Sequence, residues 1–342
     1  MRKNARFIVI SALLYFAFAS CRSNNAATAG SESLQEKAGP AFVADSAYAY
    51  CAAQCQFGPR TMNSEAHEEC RRWIVGKFRS YGMEVEEQTA DLKAWDGTLL
   101  HATNIIARFR PQEKRRILLC AHWDTRPWAD NDPDSDNWRQ PVMGANDGAS
   151  GVAVMLEIAR LLSNDTTLQV GIDFVCFDAE DYGVPQWEEA RDDSESTWAL
   201  GAQEWARKIA GSIGRTDDGA TDLPYEYGIL LDMVGGQGCK FYQEGFSLKY
   251  AAGIVSKVWS AANAAGYGSF FVSSPGGFIT DDHNPVNEIG IPCIDIIPYY
   301  PDCEQSSFGP TWHTVNDDMD HIDANTLEAV GQTVIQVLFR EE

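Results

Sequence analysis

The sequence of 342 residues lacks several features that define large classes of protein. Its 9 cysteines include no Cys-x-x-Cys pair, so a zinc site made of paired thiolates has no support. After residue 20 there is no apolar run long enough to cross a membrane. Basic residues are scarce, since 27 Lys and Arg stand against 49 Asp and Glu, for a net charge of −22. Such acidity argues against nucleic acid as a partner.

The first residues have the layout of a secretory signal, with basic residues, then an apolar run over 7–19, then Ser20 and Cys21. Cleavage after Ala19 would give a plain secreted protein, whereas cleavage before Cys21 would give a lipoprotein. The Ala-Ser-Cys ending favours the lipoprotein. We therefore expect residues 1–20 to be a signal peptide and the protein to be exported to the cell envelope or periplasm. Its membrane attachment would be a lipid on Cys21.

Two further segments follow. Residues 21–38 are rich in Ser, Asn, Ala, Gly and Glu and are expected to be a flexible tether. Residues 39–342 contain no internal repeat and no second low-complexity break, so we predict a single catalytic domain there.

Alternating apolar patterns predict the fold class. Short runs typical of buried strands occur at 104–109, 116–121, 170–177, 228–234 and 292–297. Helical spacing occurs at 65–81, 149–162, 200–209, 248–265 and 323–339. This alternation predicts an α/β fold, a three-layer sandwich with a central mixed, mainly parallel sheet and helices on both faces. Cys120, Cys176 and Cys293 lie in strand-like runs and should be buried.

Polar residues gather where these strands are expected to end. They are His122, Asp124, Asp147, Glu180, Asp181 and Asp232, with His313 in a later loop. Each has an ordinary explanation alone; Asp147, for example, could cap a helix. Together they would repel one another at one sheet edge unless a cation neutralised them.

Two carboxylates and one imidazole suit a zinc ion with an open fourth position. Glu180 and Asp181 are adjacent, so their side chains should diverge at the strand end. One can bind the metal while the other faces the substrate as a base.

Longer motifs in the same places carry a family resemblance. They are Phe-Asp-Ala-Glu-Asp at 177–181, Ile-Thr-Asp-Asp-His at 279–283 and Trp-His-Thr-Val-Asn-Asp-Asp at 312–318. With Gly-Ala-Asn-Asp-Gly-Ala at 144–149, they resemble the zinc aminopeptidase superfamily. Within it, the chain is most similar to glutaminyl-peptide cyclotransferases.

The resemblance implies one zinc ion held by Asp147, Asp181 and His313, with Glu180 as the general acid and base. It also implies that Asp281 is a hydrogen-bonded carboxylate beside Glu180. The remaining implied site residues are Asp232 in the acid network and Trp187, Ile279, Thr280, Phe308 and Trp312 in the substrate pocket. The implied reaction cyclises the N-terminal glutamine of peptides and proteins to pyroglutamate and releases ammonia.

Two positions depart from the animal members of that family. Asp181 stands where they have Glu, and Asp295 stands where they have His. The zinc ligand set survives both changes, whereas the proton network must differ.

Two other functions stay open. A dinuclear aminopeptidase needs His122, Asp147 and Asp232 around a second zinc, and all three are present. His122 and Asp124 are accordingly candidates for a second metal or for supporting the ligands of the first. A non-catalytic, zinc-stabilised envelope protein could bind peptides without turnover, although such a protein has no need of a base like Glu180.

Overall fold

A central sheet organises the computed structural model, which describes residues 38–188, 195–215 and 221–341. The predicted signal peptide, Cys21 and almost all of the predicted tether lie outside these residues. The six strands of the sheet are β1 (Glu84–Lys93), β2 (Leu99–Phe109), β3 (Arg116–His122), β4 (Gly171–Phe177), β7 (Tyr227–Leu231) and β10 (Cys293–Ile296). Four short strands lie apart from it, namely β5 (Gly214–Arg215), β6 (Thr221–Asp222), β8 (Phe241–Gln243) and β9 (Phe271–Pro275).

The order across the large sheet is β1-β2-β4-β3-β7-β10. The pairs β4/β3, β3/β7 and β7/β10 are parallel, while β1/β2 and β2/β4 are antiparallel. The sheet is therefore mixed, with a parallel half that brings the carboxyl ends of β4, β3, β7 and β10 to one edge. Ligands of open α/β sheets bind at such an edge.

Helices cover both faces of this sheet. They are α1 (Ala44–Cys55), α2 (Glu65–Ser80), α3 (Ala149–Leu162), α4 (Leu200–Ala210), α5 (Gly245–Ala265), α6 (His283–Glu288) and α7 (Ala324–Leu338). Successive residues of β3 alternate between two apolar clusters, with Leu119 facing α1, α2, α3, α5 and α7 and Leu118 facing α4 and α6. The period-two alternation of side chains along a strand thus builds two cores, one on each face.

The predicted α/β sandwich is confirmed, and several elements differ from the prediction in detail. The strand expected at 228–234 ends at Leu231, because the chain turns there into a loop, and β2 begins at Leu99, before the expected start at 104. Strand β1 was not predicted, since its residues are exposed or half-buried and no apolar run marks it. Within the described residues β1 is an edge strand paired only with β2. Helix α6 and the four short strands were not predicted either.

A close helix–sheet contact positions one of the polar residues. A Cβ atom at Gly151 would lie 2.1 Å from the carbonyl oxygen of Leu231, so only glycine lets α3 approach β7 this closely. The start of α3 follows Asp147, and the end of β7 precedes Asp232. This contact therefore brings two carboxylates from distant parts of the chain together.

The eight cysteines in the described part of the chain are all thiols. Cys120, Cys176 and Cys293 are fully buried in the sheet, as predicted. Among the described residues, no helix has both the length and the apolar character needed to span a membrane.

A buried carboxylate joins the start of α5 to the loop before α6. Glu244 is 2% exposed and accepts hydrogen bonds from Phe246 N, Ser247 N, Ser247 Oγ, Ile279 N and His283 Nε2. Burial alone would raise the pKa of Glu244, but the hydrogen bonds, first that of His283, hold it below its ordinary value. Glu244 thus ties three segments together in its charged form.

We expect Glu244→Ala to lower the free energy of unfolding by about 3–5 kcal/mol, because several buried donors lose their partner at once. The matched control is Asp323→Ala, which removes the partly exposed acidic cap of α7 and should cost about 1 kcal/mol. Denaturant unfolding of both variants measures the difference. Equal losses of unfolding free energy in the two variants would contradict the conclusion that Glu244 joins three segments of the fold.

The same substitution has a pH signature. Since the folded pKa is lowered, the contribution of Glu244 is complete above roughly pH 4 and disappears as the pH falls further. The difference in unfolding free energy between wild type and Glu244→Ala should therefore become smaller as the pH falls below about 4. A gap that widens in acid would contradict this assignment of the charged form.

Candidate active site

The predicted polar residues do meet at the carboxyl edge of the parallel strands. His122 is the last residue of β3, and Asp232 follows β7 directly. Glu180 and Asp181 lie in the turn after β4, and Asp147 lies just before α3. All five are buried, with exposed fractions between 1% and 9%.

Asp147, Asp181 and His313 form one group whose ligand-type atoms lie within 4.8 Å of one another. His313 Nε2 is 3.1 Å from Asp181 Oδ1 and 3.6 Å from Asp147 Oδ2. Both carboxylate oxygens of Asp181 are buried and accept no hydrogen bond within the described residues. Buried acceptors without donors are costly unless a cation binds them, so these residues fit a metal ion.

A second group shares one member with the first. His122 Nε2 lies 2.9 Å from Asp147 Oδ1 and 3.1 Å from Asp232 Oδ1. The same three residues could hold a metal through one atom each. The geometry thus supplies one metal group around His313 and a second around His122, with Asp147 between them.

Two buried acids fix the backbone that carries the ligands. Asp317 accepts hydrogen bonds from the amides of Asn146 and Asp147 at 2.7 and 3.0 Å. Asp124 accepts hydrogen bonds from the amides of Glu180 and Asp181 at 3.1 and 3.2 Å. Asp124, predicted either to bind a second metal or to support the first, is therefore placed to support it.

His313 is held on three sides. The Trp312 ring stacks on it with centroids 3.7 Å apart, and the Trp198 ring lies parallel at 6.2 Å. Its Nδ1 is 3.6 Å from the buried carboxylate of Asp130. A carboxylate behind a histidine fixes the ring so that Nε2 presents its lone pair to a metal.

A buried arginine stabilises the same corner. Arg126 is 1% exposed and forms two hydrogen bonds to Asp130. It also donates to the carbonyl oxygens of Asp181, Gly183 and Val184, in the turn that carries the base and one ligand. This cation offsets part of the negative charge of the site.

The backbone is strained at several points in this site, among them Met233 in the cavity wall with φ of 49°. Two of these points adjoin the base or carry a candidate ligand. Ala179, which precedes Glu180, has φ of 53°, and His313 has the same value. A left-handed conformation in a residue other than glycine costs on the order of 1–3 kcal/mol and concentrates at functional sites. The surrounding hydrogen bonds hold both residues in place.

A cavity of about 280 Å³ opens onto these groups. Its walls contain the three residues of the first metal group together with Glu180, Trp198, Asp232, Met233, Phe278, Ile279, Thr280, Asp281, Ile297, Phe308 and Trp312. Four of the five predicted pocket residues therefore line it, namely Ile279, Thr280, Phe308 and Trp312.

The fifth, Trp187, stays a prediction. It packs against Trp128 and Trp138, with Arg139 over its ring at 3.8 Å, and it is not among the described residues that line this cavity. Trp198, which sequence reasoning did not identify, lies in the cavity wall.

The carboxyl groups of the cavity influence one another. Burial raises the pKa of Glu180 well above its ordinary value, and the charges of Asp181 and Asp281 raise it further against the opposing effect of His122. Burial and then Asp232 raise the pKa of Asp281 to about 7. Burial also raises the pKa of Asp232 to about 6, although the hydrogen bond with His122 opposes this. The site therefore favours bound protons or a bound cation.

The predicted hydrogen bond between Glu180 and Asp281 stays a prediction. Both line the cavity, but the hydrogen bonds of the described residues include none between them. Asp281 Oδ1 accepts the amide of Asp282 at 2.5 Å, and its Oδ2 has no partner among these residues. The two carboxyl groups interact through charge.

Asp295, expected to stand where the animal proteins have histidine, lies in β10. It is 0% exposed, and its carboxylate accepts no hydrogen bond within the described residues. His283 Nδ1 lies 4.0 Å from its Oδ2. Asp295 is therefore a buried acid near the candidate site, and the expected difference in the proton network stays a prediction.

Comparison with known proteins gives a family for this arrangement. Residues 104–338 match peptidase family M28. The chain is similar to the glutaminyl cyclase of Bacteroides thetaiotaomicron, solved with bound N-acetylhistamine, at 49% identity and a TM-score of 0.82. That match covers 89% of this chain and 99% of the other.

Two further similar proteins are described as different enzymes, one as an exopeptidase and one as a cyclotransferase. A Zn-dependent exopeptidase from Parabacteroides distasonis is 46% identical, with a TM-score of 0.81 and coverage of 88% of this chain and 99% of the other. The bovine glutaminyl-peptide cyclotransferase is 24% identical over 263 residues. The aligned region covers 70% of this chain and 66% of the bovine protein.

The support that Asp124 gives to Glu180 and Asp181 can be tested by metal binding. Asp124→Asn leaves one backbone N–H facing an amide group, so the turn should loosen and zinc affinity should fall about 10–100-fold. Competition with a chelating dye measures the affinity, and exposed Asp136→Asn is the control. Unchanged affinity in the Asp124 variant would contradict this supporting role.

Proposed function

This chain belongs to peptidase family M28, and we propose that it cyclises the N-terminal glutamine of peptides and proteins to pyroglutamate with release of ammonia. The observation that carries the proposal is a single small cavity in which Glu180 and Asp281 face the same space as Asp147, Asp181 and His313. The similar proteins from Bacteroides thetaiotaomicron and cattle, both glutaminyl cyclases, support it.

Asp147, Asp181 and His313 are the residues that would hold one zinc ion. Their donor set, two carboxylates and one imidazole, fits that ion and balances its charge. When bound there, zinc supplies a Lewis acid that polarises an amide oxygen.

The walls of the cavity position the substrate. Phe308, Trp312 and Ile279 enclose about 280 Å³, which suits one terminal residue folded on itself. In that conformation the α-amino nitrogen lies beside the carbon of the side-chain amide. Holding the two groups in reacting geometry can contribute roughly 7 kcal/mol or more to lowering the barrier.

Glu180 moves the proton. As the bond from the α-amino nitrogen to the amide carbon forms, the Glu180 carboxylate accepts a proton from that nitrogen. As the bond from this carbon to the original amide nitrogen breaks, Glu180 returns the proton and ammonia leaves. The negative charges of Asp281 and Asp181 nearby favour the proton-bearing form of Glu180 during the transfer.

The aromatic walls also keep water away from the reacting carbon. Water in the same position would hydrolyse the glutamine side chain to glutamate instead of closing the ring. A small cavity with Phe308 and Trp312 in its wall leaves little room for it.

A dinuclear aminopeptidase is the second candidate, because the group of His122, Asp147 and Asp232 favours it. The Parabacteroides distasonis relative, a Zn-dependent exopeptidase, is consistent with it. In a cyclase, His122 would instead organise both carboxylates, since its Nε2 hydrogen-bonds to Asp232 and lies 2.9 Å from Asp147 Oδ1. A zinc content of one ion per chain supports the cyclase, and two ions with amino-acid release supports the peptidase.

A binding protein without catalysis fits the site less well than an enzyme. Glu180 forms no side-chain hydrogen bond within the described residues and faces the cavity beside the candidate ligands. A carboxyl group held free in this position is suited to proton transfer and has no structural partner there.

We expect Glu180→Gln to retain zinc and lose about 10²–10⁴-fold in turnover, because the amide cannot carry the proton. Ammonia release from a glutamine-initiated peptide gives the rate, and elemental analysis gives the zinc content. Glu69→Gln, an exposed position on α2, is the control. Wild-type turnover in the Glu180 variant would overturn the assignment of the base.

A further inference from the structure

A second and larger cavity lies next to the candidate active site. Its volume is about 880 Å³, and it runs between helices α4 and α6. Residues of α4 such as Leu200 and Arg207 form one wall, and residues of α6 such as Pro285 and Glu288 form the other. The proposed reaction leaves this cavity without a use.

The two cavities have a common boundary. Trp198, Thr280 and Asp281 line both of them. The smaller cavity, at about 280 Å³, lies at the lower end of the volumes that hold a small ligand, which are roughly 300–1,000 Å³. It suits one terminal residue, so the rest of a peptide must lie outside it, and the larger cavity adjoins it along these three shared residues.

We propose that the larger cavity binds the residues that follow the N-terminal residue of a peptide substrate. This inference rests on the proposed function, since it needs a substrate held by its free N-terminus in the smaller cavity. The occupant is therefore the same chain that reacts, in an extended conformation, over its second and subsequent residues.

The walls fit such a segment. Leu200, Pro285 and Ile289 provide apolar surface for side chains. Asn284 adds a polar side chain to the wall, and its Nδ2 donates a hydrogen bond to the carbonyl of Ile279, which fixes the orientation of the amide.

The charges of the wall indicate which side chains are preferred. Lys93 and Arg207 are positive, and Glu204, Asp281 and Glu288 are acidic. Arg207 is paired with Glu204. With both signs present, the cavity has no single-sign field that would select acidic or basic residues. We expect a preference for apolar residues directly after the terminal glutamine.

The test is a comparison of two substrates on the full-length zinc enzyme. One is glutamine amide, which has no further residues, and the other is a pentapeptide with glutamine followed by leucine and other apolar residues. Glu288→Trp and Arg207→Trp fill the cavity from opposite walls at exposed positions. Glu69→Trp, exposed on α2 and outside both cavities, is the matched control.

Both filling variants should raise KM for the pentapeptide by about tenfold, the loss expected when roughly 1.4 kcal/mol of binding disappears. Their kcat, and both constants for glutamine amide, should stay within about twofold of wild type, because the small cavity is untouched. Wild-type KM for the pentapeptide in both variants would overturn the inference. So would equal effects on the two substrates, since these would place the change in the reacting site.

Failure of the proposed function is a separate outcome. It would be seen as wild-type enzyme that releases no ammonia from either substrate. In another outcome, the wild-type enzyme cyclises both substrates and the variants affect both substrates equally or not at all. That result would support the proposed function and would show that the larger cavity does not bind the substrate.

Discussion

Repulsion among buried carboxylates is the constraint on which this site depends. The acids concerned are Asp147, Glu180, Asp181, Asp232, Asp281, Asp282, Asp295 and Asp317, each at most 9% exposed. Two like charges 4 Å apart repel by about 4 kcal/mol at the effective dielectric constant near a protein surface, and several such pairs would exceed the stability of a whole domain. The fold can hold these groups together only if protons, donors or cations compensate them.

The buried acids are compensated in two different ways. Some accept hydrogen bonds that hold the fold, and others remain available for a metal ion or for proton transfer. Asp317 and Asp124 are satisfied by backbone amides and hold the two ligand-bearing turns. Asp130 is satisfied by Arg126 and stands behind His313. Asp181 accepts no hydrogen bond within the described residues and lies beside His313 and Asp147, so a metal ion there would compensate its charge. Glu180 lies beside the candidate ligands but belongs neither to their metal group nor to a structural hydrogen bond within the described residues. A residue that carries a proton needs this freedom.

Much of the fold and site was predictable because both depend on patterns local in the chain. Apolar runs marked β2, β3, β4, β7 and β10, and a parallel sheet brings its strand ends together whatever the loops do. Strand β1 escaped prediction because its alternating burial leaves no apolar run. The place of Trp198 in the cavity wall could not be predicted, since no motif in the sequence marks it.

The supporting residues show another limit. Asp317 stood inside a recognisable motif, yet its bonds to the amides of Asn146 and Asp147 join segments 170 residues apart. Arg126 lies four residues before Asp130, a spacing that predicts an ion pair only if the segment is known to be buried. Long-range contacts of this kind follow from the topology, and the sequence alone does not reveal them.

We propose that this site closes a ring at the N-terminus of a peptide and leaves the peptide bonds intact. Mass spectrometry of one glutamine-initiated peptide after incubation with the zinc-loaded enzyme distinguishes this reaction from peptide-bond cleavage. We expect a single product lighter by one ammonia, with every residue still present. A product shortened by its first residue would contradict it and identify the second metal group as the working one.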